Sequence, residues 1–277
     1  MADIIETVNG SLIQHGHHSD RIYLMRLNPE NIPGTLAAVD ELAAARGYGK
    51  IFARIPSDAW PEFKIAGYRK EAVIPYLYRG KTDGFFVARY LSDRRRVLAN
   101  PEAVEYLVTK GTRQKAVVKT GDTRKALPVV LCSPVDTPEM GSVFGRVFES
   151  YPFPIYDPDY LKRSMEKNVR YYSVQEKGNI AALAAAEIDP ENQAAEMTDF
   201  ATLPRWRNTG MASALLSHME SQMRKHGIKT AYTIARAASR GINRLFESNG
   251  YRYAGLLINN TQISGSIQSM AVWYKPL

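Results

Sequence analysis

Residues 204–216 read PRWRNTGMASALL: a positive charge, a polar loop with one glycine, then the start of an amphipathic helix. A strand feeding such a loop aims several main-chain N–H groups in one direction, and the positive end of the helix adds to their pull on an anion. Asn208, Thr209, Gly210 and Met211 would supply the amides. Gly210 would let the backbone approach closely because it has no Cβ, and Arg207 adds a fixed charge beside it. The combination suits a pyrophosphate. Taken alone it also suits an ordinary helix cap, with Asn208 or Thr209 bonded to the first free amides. It is neither a P-loop nor a dinucleotide fingerprint, because no Gly-Lys-Ser/Thr follows and no Gly-X-Gly precedes the helix.

Two other groups of reactive side chains point elsewhere. Cys132, the single cysteine, follows the apolar run Val129-Val130-Leu131 and reads as a buried strand thiol rather than a nucleophile. His15, His17 and His18 crowd one short turn with no partner cluster, which reads as a polar loop rather than a metal centre. No metal is expected.

The elements around the loop follow from periodicity. Val129 to Cys132 reads as a strand, and Thr137-Pro138-Glu139 as a helix start with Thr137 as N-cap. SYPFPIYDPDYL (150–161), with its three prolines, must be a structured loop leading into a second short helix from Pro158. Arg170 to Glu176 and Ile180 to Asp189 form a hairpin around Lys177-Gly178-Asn179, and Ala194 to Leu203 is the next strand. Ala212, Leu215, Leu216, Met219 and Met223 recur at helical spacing, and Gly227 ends that helix. A strand from Lys229 to Ala235, a helix from Ser239 to Asn249 and two closing strands complete the order β-α-α-β-β-β-α-β-α-β-β.

The first part of the chain echoes this order. A helix over 36–47, a strand over 50–56, a helix from Ser57, the pair Gly67-Tyr68 and strands to Tyr90 follow one another. A shift of 180 residues sets Leu36, Val39 and Gly47 on Leu216, Met219 and Gly227; a shift of 183 sets Phe63 and Gly67-Tyr68 on Phe246 and Gly250-Tyr251. That pattern is expected of a degenerate half-repeat. It has no counterpart of Arg207-Asn208-Thr209-Gly210 and would not bind the same ligand in the same way. The stretch KTGDTRKALP (119–128) has no hydrophobic periodicity and reads as a linker, dividing the chain into regions 1–125 and 126–277.

Bulk properties set limits. At 277 residues, with 45% hydrophobic and 23% charged residues, the chain can bury a sizeable core, and it has no apolar run of membrane-spanning length. The N-terminus lacks the features of a signal peptide, and one cysteine allows no intrachain disulfide, so a cytoplasmic location is expected. The charge of +8 is local: residues 1–125 carry 20 Lys/Arg against 14 Asp/Glu, and residues 126–277 carry 16 against 14. Arg94-Arg95-Arg96 is its densest piece. With no aromatic platform or nucleic-acid motif beside it, it reads as a solvated face or a subunit contact in a homo-oligomer, and no nucleic acid or membrane partner is expected.

Arg207-X-X-Gly210-X-Ala212 after a strand, within this element order, resembles the GNAT superfamily of N-acetyltransferases, as do Pro204 and Leu245-Phe246 with Gly250-Tyr251. The resemblance covers about residues 128–277. More narrowly, MTDFATLP, IKTAYTIARA, INNTQI and the terminal VWYK resemble the β-lysine N-acetyltransferases, which acetylate the 6-amino group of 3,6-diaminohexanoate to make a compatible solute. RIYLMRL, KIFARIP and EAVIPYLY extend that resemblance to the N-terminal region.

The resemblance implies a mixed α/β fold with a central, mostly antiparallel, splayed sheet flanked by helices. It also implies acetyl-CoA as co-substrate and a small-molecule amine as acceptor. Arg207 to Ala212 would hold the pyrophosphate, and Ser239 stands where an asparagine often lies near the pantetheine. The strand Ala194 to Leu203 would splay from its neighbour, its main chain at Phe200, Ala201 and Thr202 pairing with the pantetheine arm. The amine would attack the thioester directly. Glu196 matches the family's base, although a surface strand residue is the alternative; alternation puts Glu196 and Thr198 on one face and Asp199 on the other unless a bulge intervenes. Asp199 is the reserve, as base or as counter-charge for a substrate ammonium. Phe246 stands where a tyrosine acid is common, which leaves Tyr232 or Tyr251, or no acid at all. The acceptor would lie under SYPFPIYDPDYL, with Tyr151, Tyr156 and Asp157 as its ligands or as loop packing. The rivals are acetylation of another amine or of protein lysine, and a non-catalytic acyl-CoA-binding or assembly protein.

Overall fold

The computed structural model describes residues 3–98, 101–111 and 128–277. Residues 119–127 of the expected linker lie outside the described residues. The chain opens with β1 (Ile4–Val8), β2 (Ser11–Gly16) and β3 (Arg21–Arg26). It continues through α1 (Ile32–Arg46), β4 (Lys50–Pro56), α2 (Trp60–Ile65), β5 (Arg69–Tyr78) and β6 (Thr82–Tyr90). Two short helices, α3 (Asp93–Arg96) and α4 (Pro101–Gly111), precede β7 (Val129–Leu131), α5 (Thr137–Val147) and α6 (Pro158–Glu166). Then come β8 (Val169–Glu176), β9 (Asn179–Asp189), β10 (Ala194–Thr202), α7 (Met211–Lys225), β11 (Thr230–Arg236), α8 (Arg240–Ser248), β12 (Arg252–Ile263) and β13 (Ser266–Pro276).

All thirteen strands belong to one sheet, in the order β1-β2-β3-β4-β6-β5-β12-β13-β11-β10-β9-β8-β7. Read outward from the β5–β12 seam, the two sides repeat. β3 runs parallel to β4 as β10 does to β11, with every other pair antiparallel. α1 and α2 occupy the places of α7 and α8 in the chain order. The echo reaches side-chain detail: Phe63 and Tyr68 meet edge to face at 5.0 Å, and their counterparts Phe246 and Tyr251 do the same at 5.0 Å. At the seam Ala72 pairs with Gly255, and the 183-residue shift carries one onto the other, so a local two-fold runs through that pair. Only glycine fits there: a Cβ on Gly255 would sit 2.1 Å from the Glu71 carbonyl oxygen.

α1, α2, α7 and α8 hold the convex side of the curled sheet, while α5 and α6 pack on the opposite face of β8 to β10. α7 buries Met211, Leu215, Leu216, Met219 and Met223 against β8 to β10, each worth ~1.5–3 kcal/mol of apolar burial, and Gly227 at φ +73° follows its end. In the N-terminal half, Leu36, Val39 and Ala43 of α1 pack with Ile22, Leu24, Ile51 and Ala53. The concave side gathers Tyr23 and Phe52 from one half with Tyr232, Leu257 and Val272 from the other.

Several expectations need correcting. Arg95 is no solvated residue: it is 2% exposed and pairs with Asp20 at 3.6 Å, because the single turn of α3 leans that side chain inward. His15 lies in β2, buried, bonded to Tyr48 and to Glu6 at 3.0 and 2.9 Å. Thr137 does not cap α5. A 3-10 turn at Pro134–Asp136 precedes it, closed by a reciprocal Ser133–Asp136 capping box, and the Thr137 hydroxyl donates to the Pro134 carbonyl. α1 begins at Ile32, with the Asn31 side chain accepting from the Gly34 amide. Cys132 is buried as expected, and burial pushes its thiol up to about 11.

Candidate functional site

β10 and β11 pair over Ala194–Glu196 and Thr230–Tyr232 and then part. β10 continues along β9 to Thr202, while β11 continues along β13 to Arg236. The wedge between them opens into a cavity of about 1010 Å³. Crevices beyond the carboxyl ends of parallel strands are common ligand sites.

One end of the cavity is the loop from Arg207 to Ser213. Asn208 and Gly210 take φ +63° and +88°, a turn that lifts successive amides toward the cavity. No side chain caps α7, and the Thr209 hydroxyl instead donates to the Trp206 carbonyl at 2.6 Å. Among the described residues the N–H groups from Asn208 to Ser213 have no acceptor. Unpaired amides at a helix start with a guanidinium beside them form a strong anion site. The equivalent turn of the N-terminal half is closed: Pro29 and Pro33 have no N–H, and the Glu30 and Gly34 amides are taken by Asn28 and Asn31. Arg236, Arg240 and Arg244, unnoticed in the sequence, line the same end together with Ser239. Asn243 fixes that rim, its amide donating to the carbonyls of Arg236, Ala237 and Ser239 while its oxygen accepts from Trp273.

The point of the wedge is acidic. Glu196 lies opposite Glu187 across the β9–β10 pair and beside Tyr232 on β11. Burial pushes the Glu196 carboxyl well above the usual carboxylate range, against the pull of Arg54 and a hydrogen bond from Tyr232. Glu187 rises too, first from burial and then from the charges of Glu196 and Asp199. Register alone revealed Glu187, since only hairpin pairing sets it against Glu196.

Asp199 departs from simple alternation. β10 bulges between Thr198 and Ala201, with Asp199 at φ +55°, so Asp199 lines the cavity together with Glu196 and Thr198. It accepts from the Tyr151 hydroxyl at 2.5 Å, and burial raises it to about 6 against the hydrogen bonds of Tyr151 and Thr198.

The remaining sequence candidates divide. Tyr151, Phe200, Thr202, Asn208, Met211 and Ala212 line the cavity. Ala201 turns its side chain into the core under α5 and offers only main chain, and Thr209 lies outside the lining, its hydroxyl bonded to the Trp206 carbonyl. Tyr156 lies outside the lining and donates to the Phe148 carbonyl, and Asp157 caps α6. Phe246 lines the cavity although it is fully buried, and Tyr251 belongs to the core under α7, away from the cavity. Tyr232 lines the cavity and receives the Arg54 guanidinium.

The N-terminal half closes the cavity from the opposite side. Alternation along β3 and β4 sends Arg21, Tyr23, Met25, Phe52 and Arg54 to it. The GNAT-like motifs carry no sign of this wall, because its residues are ordinary strand positions in the other half.

Residues 139–251 match the acetyltransferase (GNAT) family. Over nearly the whole chain the sequence is similar to two β-lysine N(6)-acetyltransferases. That of Methanococcus maripaludis is 32% identical, over 99% of each chain. That of Methanosarcina mazei is 30% identical, over 90% of this chain and 97% of its own. The N-acetyltransferase YodP of Bacillus subtilis is 29% identical over 96% of each. Among the described residues no helix is long and apolar enough to cross a membrane.

Proposed function

We propose that this chain, which belongs to the acetyltransferase (GNAT) family, is an acetyl-CoA-dependent N-acetyltransferase of a small amine whose acceptor is the 6-amino group of β-lysine, 3,6-diaminohexanoate. The relatives' names supply the substrate; the acidic wedge facing an anion-binding loop supports it. A compatible-solute role would follow from that product.

The residues present fit the co-substrate. The amides from Asn208 to Ala212 and the Arg207 guanidinium would take its pyrophosphate, with Ser239 and the α8 arginines at the rim. The main chain of Phe200 to Thr202, which has lost β11 as a neighbour, would take its pantetheine arm. Acetyl-CoA supplies the acetyl group as an activated thioester.

The chain's own task is the amine. An alkylammonium has a pKa near 10.4 and is almost wholly protonated at neutral pH. A buried carboxylate raised toward neutrality can accept that proton near the working pH, which is what burial does to Glu196. Asp199, fixed by Tyr151, faces the same space as a counter-charge for the ammonium before it reacts. Tyr232 lies beside Glu196 and holds its position. A thiol of ordinary acidity, ~8.5, leaves as thiolate without a donor at Phe246.

The observation that carries this reading is Glu196 at the point where β10 and β11 part, in the same cavity as the residues Asn208 and Gly210 to Ser213, whose amides are unpaired. Incubation with acetyl-CoA and a panel of free diamines, read as thiol release and product mass, tests it. The expected result is preference for 3,6-diaminohexanoate with the acetyl group on N6; no release above background with any amine would remove the enzymatic reading.

A further inference from the structure

We propose that Arg21, with Asn260 and Thr261, forms the subsite for the carboxylate-bearing end of the acceptor, so that the N-terminal half selects amino acids over plain diamines. This rests on the transferase reading above and names how its acceptor is held.

Three cations from the N-terminal half stand on the concave face: Arg21 on β3, and Lys50 and Arg54 on β4. Two have a carboxylate partner within the protein, although the Arg54 Nε has no acceptor. Lys50 donates to Glu71 at 2.9 Å and to the Ile258 carbonyl at 2.7 Å. Arg54 donates to the Tyr232 hydroxyl and lies 3.7 Å from Asp189. Arg21 is different: it is 4% exposed, Nη1 donates to the Asn260 carbonyl at 2.8 Å, and among the described residues no carboxylate pairs with it. Its Nε has no acceptor. Burial lowers the guanidinium only to about 10, so it stays charged at neutral pH. The plane lies against the rings of Tyr23 and Phe52, 5.2 and 5.6 Å away, which sets the orientation of the fork. A buried guanidinium with no carboxylate in direct contact is costly, since Asp3 and Glu71 act on it only at longer range, and a carboxylate meeting it edge-on would supply two charge-assisted bonds.

The neighbours suit the rest of an amino-acid head. Asn260 is 2% exposed and Thr261 5%, and both line the cavity. The Asn260 Oδ1 and Thr261 Oγ1 atoms are buried with no partner. Two unpaired acceptors beside an unpaired guanidinium match an ammonium beside a carboxylate. The backbone holds them there: β12 slips register between Leu257 and Thr261, with Asn259 at φ +43° bonded through its amide group to the carbonyls of Arg95 and Val97.

Tyr23 stands between this subsite and the base, close enough to feel both Arg21 and Glu196. Binding the 1-carboxylate at Arg21 and the 3-ammonium at Asn260 Oδ1 and Thr261 Oγ1 would present the 6-amino group toward Glu196.

The test compares 3,6-diaminohexanoate with its carboxamide, in which only the negative charge is lost. Acetylation kcat/KM, and calorimetric binding in the presence of coenzyme A, are measured for the wild type and for Arg21→Gln and Arg21→Lys. The wild type should prefer the acid by about 100-fold. Arg21→Gln should bring the two within a few-fold by losing the acid alone, with coenzyme A affinity unchanged, and Arg21→Lys should keep part of the preference. Equal use of acid and amide by the wild type, which needs no variant, overturns the subsite while leaving the transferase standing, and so does an equal loss on both ligands in Arg21→Gln. A wild type that binds the acid over the amide yet releases no thiol supports the subsite and removes the enzymatic reading instead.

Discussion

The guanidinium of Arg54 on β4 donates a hydrogen bond to the hydroxyl of Tyr232 on β11, although the two strands stand five places apart in the sheet. In a flat sheet that separation is ~24 Å. The contact exists because the sheet curls about the β5–β12 seam and brings its halves face to face. The 180-residue shift carries Phe52 onto Tyr232, and the register partners of these two are Tyr23 and Glu196. Equivalent positions of the two halves thus share one cavity, with Glu196 on one side and Tyr23 on the other.

Arg54 favours the ionised form of Glu196. Replacing it by methionine removes a cation from beside the carboxyl, so Glu196 holds its proton to higher pH. The acidic limb of the kcat/KM profile should move to higher pH and activity at pH 7 should fall; an unmoved limb would separate Arg54 from the base.

Glu196→Gln removes the proton acceptor while keeping size and polarity. A loss of ~10²-fold or more in kcat at neutral pH is expected, recovering partly at high pH as the amine deprotonates by itself. Coenzyme A should bind as before by calorimetry. Undiminished activity at neutral pH would assign the base elsewhere.

Gly210 adopts φ +88°, where a Cβ costs about 1–2 kcal/mol. Gly210→Ala and Arg207→Gln should each weaken coenzyme A binding by roughly tenfold. The binding of the amine should change little. Calorimetry with each ligand separately tells a local loop effect from general unfolding.

Asp199 binds its proton up to about pH 6 in the folded protein because it is buried. Between the ordinary carboxylate pKa and 6, the folded state holds a proton that the unfolded chain has released, so stability is greatest at low pH and falls as pH rises through this window. Asp199→Asn still accepts from Tyr151 and carries no charge. It should raise the melting temperature at pH 8, by up to ~3 kcal/mol of stability, leave it unchanged near pH 4, and lower activity. Equal melting shifts at both pH values would contradict the burial argument.

Lys50 is fully buried beside the seam and holds Glu71, which also accepts from Tyr90 and from the Ile258 amide. Lys50→Met would leave the Glu71 charge buried without its partner, at a cost of about 3–5 kcal/mol. Denaturant unfolding measures it, and restoration by the double change Lys50→Met with Glu71→Gln identifies the cause.

The sequence displayed whatever depends on neighbours along the chain. Helical spacing in α7, the glycine after it, the hairpin of β8 and β9 and the 207–212 loop were all legible, because capping, periodicity and turn chemistry act over a few residues. The repeat was legible through Phe63, Gly67 and Tyr68 for the same reason. β1 to β3 were not, since β2 and β3 are covered on both faces and lack the alternation of a half-exposed sheet, while β1 is an exposed edge strand.

What the tertiary structure alone decided is the wall of the cavity opposite the 207–212 loop. Arg21, Arg54 and Glu187 are separated from Glu196 by 175, 142 and 9 positions, and no spacing rule connects them. They meet because β9 pairs with β10 and because Gly255 lets β12 close on Ala72, which folds one half of the sheet over the other. The loop of unpaired amides is a local property of thirteen residues. Which amine faces it is a property of two halves brought together, and burial in that shared space, rather than residue type, sets the proton affinities of its carboxylates.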